Sequence, residues 1–394
     1  MASQSASRAL TISALLACAG WGGYSVAITG IRSGMFAAIE ASIGRADPYI
    51  PGGPAPYRTH FTGIAGLDRH LLTLVSFFTF IIDGPQTWST TLAFWYLWAH
   101  LCAGWCLIAL EGRRLGNSGL AVRWTTAVGI IFQNITYTVT VPLYLVLHIL
   151  TSPITAASSL PADIVASNIA VDPFDSAALP LCNVLAYVVP GIMMLLPSPG
   201  LVHPLAHYAW NSGWQVFPAT QSLFHRLLRL TLLPSRNTST ILRQKTTPDS
   251  TYLYVLFVSL LSQMALIAVA VTPARAVPNA LAPVFADVSL ASAFVPSWPS
   301  NSPVIDTTAA TIAPHGLAEA VKLFLQWDVY CGGTAVLVWA IFVRGQTQAK
   351  LSIASVLPKV AFWTACGGPP AAAAILLWER DREAAAGEPR KKIL

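Results

Sequence analysis

Charge is what this sequence has least of. Of its 394 residues only 10% are Asp, Glu, Lys or Arg, against 54% hydrophobic and a mean hydropathy of +0.58. Soluble domains carry roughly 25% charge, so a soluble globular chain is excluded. No apolar stretch holds two or three carboxylates within about five residues, the arrangement that grips a diphosphate through Mg²⁺. A DxDD acid motif, a P-loop, GxGxxG and GxSxG are also missing, so no cofactor or metal has a sequence signal. Cys18, Cys102, Cys106, Cys182, Cys331 and Cys366 fall in apolar stretches without a CxxC pair. They indicate neither a disulfide framework nor a zinc site, and packing accounts for Cys102 and Cys106. The +6 balance of 23 Lys+Arg over 17 Asp+Glu sits in short loops without interleaved aromatics, which speaks against nucleic acid.

What is present is apolar length. Stretches near 10–31, 67–83, 91–111, 127–150, 181–199, 251–272, 321–343 and 358–378 each approach the roughly 20 residues of a membrane-crossing helix. They predict an all-α polytopic transmembrane helical bundle of seven or eight spans, forming one membrane-embedded domain over 1–394. Arg8 and the Ala17–Gly20 run leave a cleaved signal peptide open, but the apolar run continues to Ile31 and favours a retained span. Four prolines in 48–56 and six in 272–303 mark irregular connections. The segment 215–233 mixes leucines with His225, Arg226 and Arg229, as an interfacial amphipathic helix does.

Positive charge sorts by connection: the odd-numbered loops hold fourteen Lys and Arg, the even-numbered ones Arg275 alone. This predicts cytosolic odd-numbered loops and a lumenal amino terminus. The basic residues from Arg380 to Lys392 agree only if the last stretch, centred on Gly367-Gly368-Pro369-Pro370, is re-entrant. The sequon Asn237-Thr238-Ser239 falls on the cytosolic side and is expected to carry no glycan.

Ionisable groups at membrane depth are costly and face bundle interiors. Asp328, in Phe324-Leu325-Gln326-Trp327-Asp328-Val329-Tyr330, is the most deeply placed carboxylate; pairing with Lys322 or a helix-end hydrogen bond is the plain alternative. Asp68 and Asp83 bracket the second stretch roughly 22 Å apart, too far to serve one reacting atom. For Asp68, Asp83 and Glu111, capping or ion pairing is the plain reading. His100 lies among Trp95, Trp98 and Trp105, and Gln133, Asn134, Thr136, Tyr137, Thr138, Thr140, Tyr144 and His148 load the fourth stretch with polar groups. Such a load needs partners in the bundle or a cavity. Trp95, Trp98, Trp105, Phe324, Trp327, Tyr330 and Trp339 are not confined to membrane interfaces; their faces suit carbocations, although packing explains any single ring.

The tracts Phe61-Thr62-Gly63-Ile64-Ala65-Gly66-Leu67-Asp68, Asp83-Gly84, Glu111-Gly112-Arg113-Arg114, Phe132 to Tyr144 and Gln326-Trp327-Asp328 resemble a known family over about residues 58–343. It is the fungal integral-membrane terpene cyclase family of meroterpenoid biosynthesis. The resemblance implies a magnesium-independent, protonation-initiated cyclisation of a farnesyl or related prenyl chain, often a terminal epoxide, on an aromatic or polyketide head. The reaction is of isomerase or lyase type within secondary metabolism. Its acids map onto Asp328 and Glu111, then Asp68 and Asp83, as catalytic residues. Trp95, Trp98, Asn134, Tyr137, Trp327 and Tyr330 would hold the substrate. The implied partners are the prenylated substrate, the lipid bilayer that delivers it, and a prenyltransferase and epoxidase acting upstream, in the endoplasmic reticulum. Composition alone also permits a transporter or channel for a small hydrophobic solute, and more weakly an acyltransferase using His100 or His148.

Overall fold

A computed structural model describes residues 2–84, 87–232, 247–307, 312–347 and 353–386. Among them every regular element is helical, the solution that satisfies a backbone unable to bond to water. The helices are α1 (Ala2–Arg32), α2 (Met35–Ile43), α3 (Ala65–Ile82), α4 (Trp88–Gly112), α5 (Thr125–Asn134), α6 (Tyr137–Thr151), α7 (Ala162–Ile169), α8 (Pro173–Asn183), α9 (Val189–Leu195), α10 (Pro204–Trp214), α11 (Phe217–Leu232), α12 (Asp249–Val271), α13 (Ala282–Asp287), α14 (Leu290–Phe294), α15 (Pro314–Thr347) and α16 (Ile353–Ala386). Among the described residues seven helical runs are long and apolar enough to cross a membrane, eight if the bent pair Tyr137–Thr151 and Pro153–Ser159 is counted, as in a multi-pass membrane protein. One apolar core draws on α1, α3, α4, α6, α10, α12, α15 and α16.

Contacts define two ends of the bundle. At one, Glu111 of α4 meets Arg114 and Arg380, and Arg344 of α15 meets Glu383. At the other, Asp83 pairs with His207, Thr90 with Glu319, and the Ser33 carbonyl accepts the Ile305 N–H. Helix α1 begins at the Glu111 end, where Gln4 bonds Gln346 and Arg8 donates to the Ile149 carbonyl.

The stretch expected to cross at 127–150 does not cross. It breaks at Ile135 (φ −101°, ψ −71°) and Thr136 (φ 172°, ψ 156°), and both limbs return to the Glu111 end. Tyr144 Oη donates to the Val122 carbonyl at 2.9 Å, Ser152 Oγ donates to Asn117 Oδ1 at 2.6 Å, and Thr125 packs on Gly112. Helices α5 and α6 therefore form a re-entrant hairpin whose tip lies inside the bundle.

The last stretch doubles back in the same way. Lys359 and Glu379 form an ion pair at 2.5 Å, whereas twenty residues of straight helix would part them by roughly 30 Å. The fold lies at Gly367 (φ −147°, ψ 19°) and Gly368 (φ 68°, ψ −178°). Gly368 has the positive φ that glycine tolerates, and a Cβ there would stand 2.1 Å from His100 Cε1. Gln263 Nε2 satisfies the end of the first limb by donating to the Thr364 and Ala365 carbonyls at 2.9 and 2.7 Å. Pro369 and Pro370 start the second limb without adding backbone donors that need partners.

Helix α1 ends and α4 begins at the Ser33–Thr90 end of the bundle, so α3, expected to cross, adds no crossing between them, and this changes the orientation. The amino end of α1 shares its end of the bundle with Arg113, Arg114, Arg344 and Arg380, so a lumenal amino terminus and a cytosolic Arg113–Arg114 loop do not go together as expected. Arg390, Lys391, Lys392 and the Asn237 sequon lie outside the described residues. The 215–233 segment is helical as expected but docks on the bundle as α11, through Thr126 to Ser222 and Arg229 to Asp172 and Asp175.

Candidate active site

Between α1, α2, α3, α4, α15 and the tip of the α5–α6 hairpin lies a cavity of about 470 Å³. That is within the roughly 300–1,000 Å³ of small-molecule sites. Its walls are aromatic: Phe36, Phe77, Phe78, Phe94, Trp98, Phe132, Trp214 and Phe324 all line it. Phe77 sits edge-on to Phe78 and Phe324 with centroids 5.1 and 5.2 Å apart, and Phe78 meets Trp214 at 5.0 Å. The ionisable side chains in the lining are Asp328 and His70; Thr73, Gln133, Asn134 and Thr136 supply the remaining polar groups.

Asp328 is 7% exposed, and its Oδ1 accepts the backbone N–H of Thr138 at 2.8 Å. The Tyr137 N–H also faces the carboxyl group. Tyr137 and Thr138 are the first two residues of α6, whose opening N–H groups have no intrahelical acceptor and no side-chain cap from Thr136. A carboxyl group from α15 thus closes a half-helix begun inside the bundle and sits against its positive end. Lys322 takes no part, since it pairs with Glu319 at 2.6 Å. Across the tip, His70 Nε2 meets Asn134 Oδ1 at 2.5 Å.

The CtvD domain family matches residues 10–384. The chain belongs to that family. Terpene cyclase ascI of Acremonium egyptiacum is 27% identical over 341 residues, covering 84% of this chain and 81% of the relative. Terpene cyclase ctvD of Aspergillus terreus is 26% identical over 340 residues, 84% and 88% of the two chains. Terpene cyclase verU1 of Penicillium polonicum is 25% identical over 372 residues, 91% and 90%. No solved structure matches the chain. The resemblance read from the Phe61–Asp68, Phe132–Tyr144 and Gln326–Asp328 tracts is borne out over most of the chain.

In this CtvD-domain chain the other three acids stand away from the cavity. Glu111 is buried in a closed charge cluster with Arg114 at 2.5 Å, Arg380 at 3.0 Å and His148 at 3.4 Å. Asp381 and Tyr252 complete it: Arg114 Nη2 donates to Asp381 Oδ2 at 3.0 Å, and Tyr252 Oη donates to the same oxygen at 2.7 Å. Asp68 accepts the N–H groups of Phe61, Thr62 and Gly63 at 3.1, 2.6 and 3.0 Å and so fixes the approach to α3. Asp83 pairs with His207 at 2.8 Å, at the far end of α3. Capping and ion pairing are the contacts these three make.

Of the six residues expected to hold substrate, Trp98 and Asn134 line the cavity. Trp95 is 37% exposed and touches Trp98 only edge-on. Tyr137 is buried against Gly332 and Phe132. Trp327 clusters with Trp21 and Trp298 and donates to the Ser297 carbonyl at 3.1 Å. Tyr330 Oη donates to the Phe294 carbonyl at 2.9 Å. His100 packs under Tyr96 and Gly368 rather than on the cavity, and His148 belongs to the Glu111 cluster. Sequence reading named Phe324 but passed over His70, Phe36, Phe77, Phe78 and Phe94, because a Phe in an apolar helix looks the same whether it fills a core or walls a site.

Proposed function

We propose that this protein is a membrane terpene cyclase that closes a prenylated substrate by proton transfer from Asp328, without a metal ion. The observation that carries the reading is a carboxyl group, alone of its kind in the lining, at the wall of an aromatic cavity in a bundle of lipid-facing helices. The names of the relatives ascI, ctvD and verU1 support it. A diphosphate held through magnesium needs two or three clustered acids, and the lining offers one.

The geometry supports the following course. The prenyl chain partitions into the bilayer at about 0.8 kcal/mol per buried CH₂ and folds into the cavity. Asp328 gives its proton to an epoxide oxygen or terminal alkene, and the resulting cation is attacked by the next double bond. The carboxylate left behind is held by the Thr138 and Tyr137 N–H groups, donors already in place before charge develops. Phe77, Phe78, Phe324 and Trp98 offer their faces to the migrating positive charge and keep out water that would quench it. A terminal epoxide on an aromatic or polyketide head, a meroterpenoid setting, the endoplasmic reticulum, and a prenyltransferase and epoxidase upstream complete the reading.

The test is to incubate microsomes carrying the full chain with an epoxyfarnesylated phenol and EDTA, and to look for an isomer of unchanged mass. Metal-free product lost in Asp328→Asn supports the proposal. A wild-type protein that moves hydrophobic solutes across vesicles yet leaves the probe linear overturns it.

A further inference from the structure

We infer that His70 is the catalytic base that ends the cyclisation; the inference rests on the cyclase reading of the same cavity. His70 and Asp328 are the ionisable groups in the lining, and one hairpin tip holds both: Asn134 meets His70, and Thr138, four residues on, meets Asp328. The two are held in opposite senses. Asn134 Nδ2 donates to the Ile130 carbonyl at 2.6 Å, which turns Oδ1 toward His70 Nε2. An amide oxygen only accepts, so His70 Nε2 carries the hydrogen, and Nδ1 of the neutral ring keeps its lone pair. No hydrogen bond among the described residues falls on Nδ1. Asp328 faces N–H donors and is suited to finish a proton transfer as an anion; His70 faces an acceptor and is suited to finish one as a cation.

The step balances. The C–H bond beside the final carbocation breaks, its electron pair becomes the π bond of the product alkene, and the proton passes to His70 Nδ1. The imidazolium then makes a charge-assisted bond to Asn134 Oδ1. Asp328 has lost one proton and His70 has gained one, so the product is an isomer. His70 is exposed where Asp328 is buried, so of the two groups the ring is the one more open to give up its proton once the product has left.

The test uses the full chain in microsomes with the epoxyfarnesylated phenol. His70→Gln keeps an N–H for Asn134 and removes the basic nitrogen that takes the proton. It should consume the probe within about threefold of the wild-type rate while the share of the wild-type alkene falls at least ~10-fold, replaced by other alkenes and products one water heavier. His70→Ala should regain the wild-type share when imidazole is added, which a purely structural role would not allow. An unchanged product split in His70→Gln overturns the proposal, as does failure of imidazole to move the split in a folded His70→Ala protein. Should neither variant accumulate, Asn134→Leu, which frees the ring tautomer, must shift the split at least ~3-fold, and an unchanged split there also overturns it. Wild-type protein that never cyclises the probe sinks the cyclase reading itself, whereas normal cyclisation with silent His70 variants sinks only the base.

Discussion

Asp328 and Thr138 lie 190 residues apart in sequence and are joined by a hydrogen bond of 2.8 Å from the Thr138 backbone to the Asp328 carboxyl group. This contact links the chemistry to the architecture. A helix begun inside an apolar bundle exposes N–H groups that must find an acceptor, and an acid placed there satisfies them. The same donors orient the carboxyl group and receive its charge after proton transfer. Asp328 is thus a cap and a candidate acid at once, and suitable substitutions separate the two roles.

Asp328→Asn keeps an oxygen for the Thr138 N–H and removes the acidic proton. Cyclisation should fall by about 10²- to 10⁴-fold, the typical worth of a positioned acid. Melting in detergent should stay close to wild type. Asp328→Ala should lose activity to the same extent and in addition about 0.5–2 kcal/mol of stability, the usual loss for a missing helix cap. An active Asp328→Asn protein would remove the proposed acid.

Glu111 gives the opposite pattern. Glu111→Gln leaves Arg114 and Arg380 buried with one anion fewer, and breaking such a cluster typically costs about 3–5 kcal/mol. The variant should be poorly accumulated and easily melted, yet turn over within about twofold of wild type per folded molecule. A well-folded but inactive Glu111→Gln protein would return Glu111 to the chemistry.

These contrasts show what could be read from residue order. The helical class followed from composition, and Asp328 stood out because a carboxylate inside Phe324–Tyr330 needs a reason to be there. The hairpins were less visible. A polar load from Gln133 to Thr138 marks something unusual, but only the opposing Asp328 shows that it is a half-helix tip. Gly367-Gly368-Pro369-Pro370 did mark a possible re-entrant point, since two glycines free the backbone and two prolines need no donors satisfied. The Glu111 cluster was hidden by distance, because Arg380 lies 269 residues away in sequence. Counting all eight stretches as crossings also set the amino terminus apart from the Arg113–Arg114 loop.

The cavity walls predict which aromatic substitutions change the product. Phe78→Leu and Phe324→Leu keep apolar bulk but remove a ring face, worth about 0.5–2 kcal/mol to a passing cation. Each should slow cyclisation roughly 2- to 30-fold and broaden the range of products by mass-resolved chromatography. Trp95→Leu and Trp327→Leu lie outside the lining and should leave the product profile unchanged. Equal effects from both sets would mean that the rings act through packing alone.

The turn at Gly367–Gly368 is open to a direct distance test. If α16 folds back, Lys359→Cys and Glu379→Cys stand close enough for a short thiol crosslinker, because the native side chains meet at 2.5 Å. If α16 runs straight, the same positions lie roughly 30 Å apart and the reagent cannot reach. Joining the limbs should give a faster-migrating band after denaturation in the double variant and in neither single variant. The bridged protein should keep its cyclase activity, since the limbs are held together already. No band in folded double variant would turn the last stretch into a crossing and move the Arg380 end to the opposite face of the membrane.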